Sequence, residues 1–198
     1  MASLNIAGVV GVGKSSLCGI YADKGYEVYY EPVFDNDLLE KFYADKEKYA
    51  FPLQIYFLNK RFQMYKDSLL HRNTVMDRSI VEDRIFAKML KDRGELNVKE
   101  YDIYMDLFTN MMQHVCKPDL MVYLRIKTDN VLSRIQKRGR EYELSQSKEY
   151  WASLNSNYEI FFNEYTWSKL LVIDVDNIDF VGNQSDKEWI VNLIDSNL

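Results

Sequence analysis

Near the start of the chain stands Gly8-Val9-Val10-Gly11-Val12-Gly13-Lys14-Ser15-Ser16, whose first eight residues match the phosphate-loop pattern G-x-x-x-x-G-K-[ST]. An apolar run at residues 4–7 precedes it, and apolar residues at helical spacing follow at 16–22. Between a strand and a helix, such a loop wraps its backbone N–H groups around phosphate oxygens. Lys14 would reach the outer phosphates and Ser15 would hold Mg²⁺. The alternative is a glycine-rich turn that matches by chance.

Apolar or β-branched runs alternate with helical patterns along the rest of the chain. The predicted strands cover residues 4–7, 27–30, 74–76, 120–124 and 170–173. The predicted helices cover residues 16–24, 37–43, 53–70, 80–92, 98–115, 130–137, 148–165 and 187–196. We expect Pro52 in the first turn of its helix, Thr128 as an N-cap and Gly139 as a helix end. Strands joined by helices predict a three-layer α/β domain around a five-stranded parallel sheet.

Composition limits the classes of function. The 198 residues, 47% of them hydrophobic, suit one domain with a full core. A net charge of −5 and a pI of about 5.2 argue against nucleic-acid binding. We see neither a signal sequence nor an apolar run of membrane-spanning length, so we expect no membrane contact. Two cysteines, Cys18 and Cys116, without metal-ligand spacing predict a reducing cytoplasm and no zinc site.

Polar residues follow the predicted strands. Ligands of open parallel sheets bind beyond the carboxyl ends of the strands. Besides the phosphate loop, Glu31 follows the second strand, Asp77 and Arg78 the third, Arg125 the fourth and Asp174 the fifth. The sequence therefore predicts one active-site edge, although loops are polar in any case.

Three of these residues suggest phosphoryl-transfer chemistry. Glu31 can accept a proton from an attacking hydroxyl, with Pro32 fixing the chain after it. Asp77 can bind Mg²⁺, and Arg78 can neutralise charge on a transferring phosphoryl group. The structural alternatives are a solvated glutamate, and an aspartate helix cap paired with an arginine.

Two further groups of residues suggest binding roles. Gln54 and Arg61 are seven residues apart, which places them on one face of a helix. Their amide and guanidinium groups can hydrogen-bond to the edge of a nucleobase. Asp83 could orient Arg61. A polar helix face explains that spacing equally well.

The predicted helix over 130–137 has a basic end, and Gly139 and a flexible loop follow it. This pattern suits a lid that closes over phosphates with Arg134, Arg138 and Arg140. The simpler alternative is a solvated basic helix end.

Taken together, these residues resemble those of the deoxyribonucleoside kinase family, specifically the branch that excludes the thymidine-kinase-1-type enzymes. Within that branch, the chain is most similar to the bacterial deoxyadenosine and deoxyguanosine kinases. The resemblance extends over residues 5–180. It rests on residues 8–16, Glu31-Pro32-Val33, Lys48-Tyr49-Ala50-Phe51, Gln54-Ile55-Tyr56-Phe57-Leu58-Asn59, Asp77-Arg78-Ser79-Ile80-Val81-Glu82-Asp83 and residues 134–143. It implies one P-loop kinase domain over residues 1–198, with an arginine-rich lid at about residues 134–146.

The resemblance also implies roles at the sugar and the phosphates. Glu31 matches the acid beside the substrate 5′-hydroxyl, and Arg78 matches the arginine next to the 5′-oxygen and phosphates. Tyr43 and Glu143 match the pair that holds the 3′-hydroxyl. Asp77 stands where many animal members have glutamate, and it is either linked to the metal or the proton acceptor.

The base pocket and the donor site are implied in the same way. Gln54 matches the glutamine that reads the base, and Arg61 with Asp83 matches a pair found with purine deoxynucleosides and deoxycytidine. Phe57 stands at a pocket wall where some relatives have a smaller residue, so the base stays open, with deoxyadenosine as the first expectation. The lid arginines match donor-phosphate ligands, and residues 174–179 would approach the donor adenine.

The expected activity is ATP- and Mg²⁺-dependent phosphorylation of a deoxynucleoside 5′-hydroxyl. The alternatives are a nucleoside-monophosphate kinase of the thymidylate-kinase type, a nucleotide-dependent switch and a regulatory nucleotide-binding subunit. No Asn-Lys-x-Asp guanine-reading motif supports a switch. The expected partners are small molecules and a second copy of the chain, with a heterodimer of related kinases as the alternative.

Overall fold

The computed structural model describes residues 2–31 and 37–198. Within these ranges the chain forms a five-stranded parallel sheet with the strand order β2-β3-β1-β4-β5. The strands are β1 (Ala2–Ala7), β2 (Glu27–Tyr29), β3 (Asn73–Asp77), β4 (Leu120–Arg125) and β5 (Leu170–Asp174). The predicted α/β fold and all five predicted strands are confirmed.

Helices connect the strands and flank the sheet. They are α1 (Lys14–Asp23), α2 (Asp37–Ala44), α3 (Lys46–Ser68), α4 (Asp83–Asp92), α5 (Val98–Met112), α6 (Thr128–Arg138), α7 (Glu141–Leu144), α8 (Lys148–Asn163) and α9 (Gln184–Asp195). None of the helices in the described ranges is long and apolar enough to cross a membrane.

The centre of the sheet is buried on both sides. In β4, five consecutive residues from Leu120 to Leu124 are each at most 2% exposed. Because successive side chains of a strand point to opposite faces, helices must cover both faces there. The continuous apolar run that marked this strand in the sequence is a consequence of that burial.

The register of the strands brings their carboxyl ends together. Ile6 of β1 pairs with Asp77 of β3, and Ala7 pairs with Tyr123 of β4. The loop that follows β1 therefore lies between the ends of β3 and β4, which is the position where parallel sheets bind ligands.

Three local predictions are wrong. Helix α3 begins at Lys46, capped by the Asp45 carboxylate, so Pro52 lies inside the helix instead of in its first turn. The segment predicted as one helix over 80–92 divides into a 3₁₀ turn, Ile80–Glu82, and α4. Thr128 is the first residue of α6 and Lys127 is the N-cap. Gly139 does end α6, in the left-handed conformation.

Candidate active site

The phosphate loop depends on its glycines. Gly8, Gly11 and Gly13 have φ angles of 145°, 80° and 109°, a region that side-chain-bearing residues rarely adopt. A Cβ on Gly8 would lie 2.8 Å from the carbonyl oxygen of Leu124, and one on Gly13 would lie 2.6 Å from the Phe180 ring. The loop therefore keeps its shape only with glycine at these positions.

The loop faces a cavity of about 580 Å³. Val10, Gly11, Gly13, Lys14, Ser15 and Ser16 line this cavity, whereas Gly8, Val9 and Val12 lie behind it. The side chains of Val9 and Val12 are at most 1% exposed and belong to the core, so they leave only backbone groups for a ligand. Lys14 bends back and donates to the carbonyl oxygens of Gly8 (2.9 Å) and Val9 (3.2 Å). Burial, with the nearby charge of Arg78, lowers the pKa of Lys14.

Ser15 and Asp77 meet at the floor of this cavity. The Ser15 hydroxyl donates to Oδ2 of Asp77, and Oδ1 of Asp77 is buried with no hydrogen-bond partner within the described part of the chain. Hydroxyl and carboxylate oxygens are the hard ligands that Mg²⁺ prefers, and Mg²⁺ is usually held by one or two carboxylates together with substrate phosphates. The residues present therefore fit the predicted metal.

Glu31 lies between two buried arginines. Its Oε1 accepts a hydrogen bond from Nη2 of Arg61 (3.0 Å) and forms an ion pair with Nε of Arg78 (2.8 Å). The glutamate side chain is 19% exposed and lines the cavity. Burial would raise its pKa, but the charges of Arg78, Arg61 and Lys14 lower the pKa of Glu31 to about 2. The carboxylate is therefore ionised at neutral pH.

The lowered pKa gives a prediction about stability. Since the pKa of Glu31 falls from 4.5 to about 2 on folding, its charge stabilises the fold above pH 4.5, and this contribution disappears as the pH falls through 2. We expect Glu31→Gln to lower the free energy of unfolding by about 3 kcal/mol at pH 7. The difference from the wild type should shrink between pH 4.5 and pH 3 in urea titrations. A difference that stays constant over this range would contradict the assigned pKa.

The backbone of Arg78 is unusual. Its φ is 77°. Among the described residues, no other residue except glycine has a positive φ. Its N–H donates to the carbonyl oxygen of Ile6 in β1 (2.9 Å), and its guanidinium carbon lies 4.8 Å from the ring centre of Phe86. Such strained backbone is maintained only where the surroundings enforce it, and it occurs often at functional sites.

The predicted base-reading residues lie in an adjoining cavity. Gln54, Arg61 and Asp83 are at most 4% exposed and line a space of about 40 Å³, which shares Glu31 and Tyr43 with the larger cavity. Nε of Arg61 donates to both carboxylate oxygens of Asp83, at 2.7 and 2.8 Å. Its Nη1 is buried with no partner among the described residues. The structure thus brings Arg61 and Asp83 together, and their role at a base stays a prediction.

The lid packs against α2 beside the large cavity. Arg138 and Arg140 each place Nη1 near Oε1 of Glu143, at 3.7 and 3.4 Å. Tyr43 of α2 stacks on Tyr142 of the lid with ring centres 5.4 Å apart. All five predicted lid and sugar residues line the large cavity: Tyr43, Arg134, Arg138, Arg140 and Glu143.

Arg134 differs from the other lid arginines. Its guanidinium donates to the backbone carbonyl oxygens of Val12 (2.8 Å) and Val175 (2.9 Å). It therefore connects the phosphate loop with the segment after β5, which lies within the region predicted to meet the donor base.

Comparison with known proteins identifies this arrangement. The sequence profile of the deoxynucleoside kinase family matches residues 4–198. The chain belongs to this family. It is 40% identical to a deoxyguanosine kinase of Lactobacillus acidophilus, over 98% of this chain and 90% of that protein. It is 38% identical to a deoxyadenosine/deoxycytidine kinase of Bacillus subtilis, over 98% of this chain and 91% of that protein. The enzyme is a deoxynucleoside kinase, a phosphotransferase.

A solved structure supports the same assignment. The deoxyadenosine kinase from M. mycoides with bound dATP superposes with a TM-score of 0.88 and 34% identity, covering 98% of this chain and 100% of that chain. The agreement in both fold and sequence confirms the P-loop kinase fold predicted from the sequence.

The lid arginines of the kinase give a second prediction. Arg134→Ala should lower the free energy of unfolding by about 1–3 kcal/mol, because it removes the side-chain donor to the carbonyl oxygens of Val12 and Val175. Arg138→Ala, which removes a guanidinium that is one-third exposed, should change stability little and raise the KM for ATP. Thermal unfolding and ATP saturation curves for both variants test this contrast. Equal losses of stability would contradict it.

Some predicted residues lie outside the site. Arg125 and Asp174, at the ends of β4 and β5, are 3.5 Å apart and about half exposed, and they do not line either cavity described above. The predicted contribution of Pro32 falls outside the described residues.

Two buried residues of the kinase were missed as functional candidates. Glu82 and Tyr158 contact each other behind the phosphate loop. The spacing of Ser79 and Glu82 is a capping-box pattern, which could have indicated that Glu82 folds back on the chain. No sequence signal indicated Tyr158.

Proposed function

We propose that the kinase transfers the γ-phosphoryl group of ATP to the 5′-hydroxyl of a deoxynucleoside, with Mg²⁺, and that it prefers deoxyadenosine. One observation carries the proposal: Glu31, held ionised between Arg61 and Arg78, faces the same cavity as the phosphate loop and Asp77. An acceptor site and a donor site therefore share one space.

On the acceptor side, the sugar lies between Glu31 and the lid. The Glu31 carboxylate accepts a hydrogen bond from the 5′-hydroxyl and orients its oxygen towards the phosphate loop. Tyr43 and Glu143 hold the 3′-hydroxyl; Oε2 of Glu143 is buried without a partner among the described residues and is therefore available as an acceptor. The proton acceptor is Glu31 or Asp77. With a pKa of about 2, Glu31 is a weak base and serves mainly to orient the hydroxyl.

On the donor side, charge and backbone N–H groups position the phosphates. The phosphate loop and Lys14 hold the phosphate chain, and Ser15 with Asp77 holds the metal. When bound there, Mg²⁺ neutralises charge on the β- and γ-phosphates. Arg78, between the two substrates, stabilises the charge that spreads over the transferring phosphoryl group, with Arg138 and Arg140 closing from the lid. Phosphoryl transfer needs little covalent chemistry from the protein, so position and charge account for most of the rate.

The side chains of the base pocket favour adenine over guanine. An amide such as that of Gln54 pairs bidentately with N6 and N7 of adenine, whereas guanine is best read by a free arginine fork at O6 and N7. In Arg61, Nε is bonded to Asp83 and Nη2 to Glu31, which leaves Nη1 alone for a base. The relatives described above are named for three different bases, so this preference rests on the pocket itself.

Initial rates with ATP and Mg²⁺ test the whole proposal. Deoxyadenosine, deoxyguanosine, deoxycytidine and deoxyadenosine monophosphate are each offered as acceptor, and ADP formation is followed. We expect the highest kcat/KM with deoxyadenosine. Turnover with the monophosphate alone would favour a nucleoside-monophosphate kinase instead, and a higher kcat/KM with deoxyguanosine would contradict the base assignment.

A matched variant tests how the base is read. Gln54→Leu keeps the volume of the side chain and removes its amide, so the preference for deoxyadenosine over deoxyguanosine should fall by about 10-fold or more, the discrimination that one bidentate pair provides. The kcat with the better substrate should change less than its KM. An unchanged preference would place base recognition elsewhere.

We also propose that the kinase forms a homodimer, with a heterodimer of related kinases as the alternative. Helix α5 exposes apolar side chains, among them Val98 and Ile103, which are 65% and 49% exposed. Light scattering of the purified chain tests this: a mass near twice 23.5 kDa is expected, and a monomer at micromolar concentration would contradict it.

A further inference from the structure

Glu82 is a fully buried carboxylate that joins three parts of the fold. It lies in the 3₁₀ turn after β3 and is 0% exposed. Its Oε1 accepts hydrogen bonds from the N–H of Gly8 (3.2 Å) and the hydroxyl of Tyr158 in α8 (2.9 Å). Its Oε2 accepts one from the N–H of Ser79 (2.6 Å). Three donors on two oxygens match an ionised carboxylate, because an amide or a protonated acid would turn a donor towards one of them.

Tyr158 extends this network to Arg78. The hydroxyl of Tyr158 accepts a hydrogen bond from Nη1 of Arg78 and donates its own proton to Glu82. Nη1 of Arg78 is also 3.7 Å from Oε1 of Glu82. The position of the hydroxyl oxygen is fixed, since the ring of Tyr158 is fully buried and stacks on Tyr123 and Phe162.

The same network reaches the backbone at both ends. Gly8 is the first residue of the phosphate loop, and Ser79 directly follows Arg78, whose φ is 77°. A hydrogen bond to the Ser79 N–H therefore fixes the chain right after the strained residue, while the bond through Tyr158 fixes its guanidinium. One carboxylate thus sets the distance between the start of the donor site and the arginine that lies beside Glu31.

We propose that Glu82 and Tyr158 are positioning residues that hold Arg78 and the first turn of the phosphate loop in one fixed arrangement. Neither residue lines the cavity, so neither would touch a substrate. They act through Arg78 by keeping its guanidinium in line with the transferring phosphoryl group. This inference rests on the proposed function.

Tyr158→Phe tests the proposal with little disturbance of the core. The phenylalanine keeps the stacked ring and removes only the hydroxyl between Arg78 and Glu82. We expect kcat with deoxyadenosine and ATP to fall about tenfold, the effect of one hydrogen bond to a charged group, while both KM values stay within about twofold. The matched control is Tyr123→Phe, which removes a hydroxyl from the neighbouring ring of the same stack; that hydroxyl donates to Glu159 (2.7 Å) and has no bond to Arg78. The control should keep the wild-type kcat.

A second measurement does not depend on turnover. In ¹⁵N NMR spectra of the unliganded protein, the Nε–H resonance of Arg78 should shift or broaden in Tyr158→Phe and stay in place in Tyr123→Phe. Glu82→Gln should move the same resonance and lower kcat further, if it folds. Equal kcat in the two tyrosine variants, or an Arg78 resonance unaffected by Tyr158→Phe, would overturn the proposal. If the wild-type enzyme shows no turnover, the proposed function is refuted but the positioning of Arg78 is not. The NMR comparison of the two tyrosine variants would still test whether Tyr158 holds Arg78.

Discussion

Glu31→Gln is expected to lower kcat by about 10²-fold or more, because the 5′-hydroxyl loses the carboxylate that orients its oxygen towards the phosphate loop. The amide keeps the size of the side chain and removes the charge that Arg61 and Arg78 share. Two buried guanidinium groups then lack their common partner, and the 5′-hydroxyl loses its acceptor. The KM for ATP should change only a few-fold, since Glu31 lies on the acceptor side and does not bind ATP in the proposed mechanism.

The measurement is a steady-state comparison of Glu31→Gln, Glu31→Asp and the control Glu27→Gln. Glu27 lies in β2, four residues before Glu31, and is exposed, so its replacement should leave kcat unchanged. Glu31→Asp keeps the charge but shortens its reach, and it should retain more activity than Glu31→Gln. Near-normal turnover of Glu31→Gln would remove Glu31 from the proposed mechanism and leave Asp77 as the proton acceptor.

The sheet and the phosphate loop were predictable because their signals are local. Leu120 to Leu124 form an unbroken apolar run, as a strand buried on both faces requires. The glycines of the loop stand at fixed spacing, and the loop lies at a strand–helix junction. The contact of Ser15 with Asp77 followed from the rule that parallel strands end at one edge, although the two residues are 62 positions apart.

Helix boundaries were harder to predict for an identifiable reason. Proline is usual in the first turn of a helix, so Pro52 suggested a start at that point. The start is in fact fixed by Asp45, whose side chain accepts from the N–H of Lys48, and tertiary packing of α3 tolerates the hydrogen bond that Pro52 cannot make.

The parts of the site that the sequence did not reveal depend on contacts with the backbone or between distant elements. Arg134 was predicted as a phosphate ligand, yet its guanidinium donates to carbonyl oxygens of residues 122 and 41 positions away. Glu82 meets Tyr158 across 76 positions. Neither partner choice has a periodic or motif signal, since backbone carbonyls are present at every residue and buried tyrosines occur throughout the core.

Arg78→Lys is expected to lower kcat by about 10³-fold, at the lower end of the effect of losing an arginine that stabilises a transferring phosphoryl group. The lysine keeps one positive charge but offers a single ammonium in place of a planar fork. The guanidinium of Arg78 reaches Glu31 with Nε and Tyr158 with Nη1 at the same time, and an ammonium cannot serve both partners in that geometry. The loss should appear mainly in kcat, because the charge is needed most where the phosphoryl group lies between donor and acceptor.

The matched control for this prediction is Arg84→Lys. Arg84 is an exposed residue of α4 whose guanidinium lies over the ring of Phe161, away from the cavity. It should therefore keep kcat and both KM values. Thermal unfolding of Arg78→Lys shows whether the fold is intact: a folded protein with kcat reduced 10³-fold supports a role in the transition state. A folded variant with kcat within tenfold of the wild type would mean that the lid arginines and the metal site provide the charge instead, and Arg78 would then be a structural partner of Glu31.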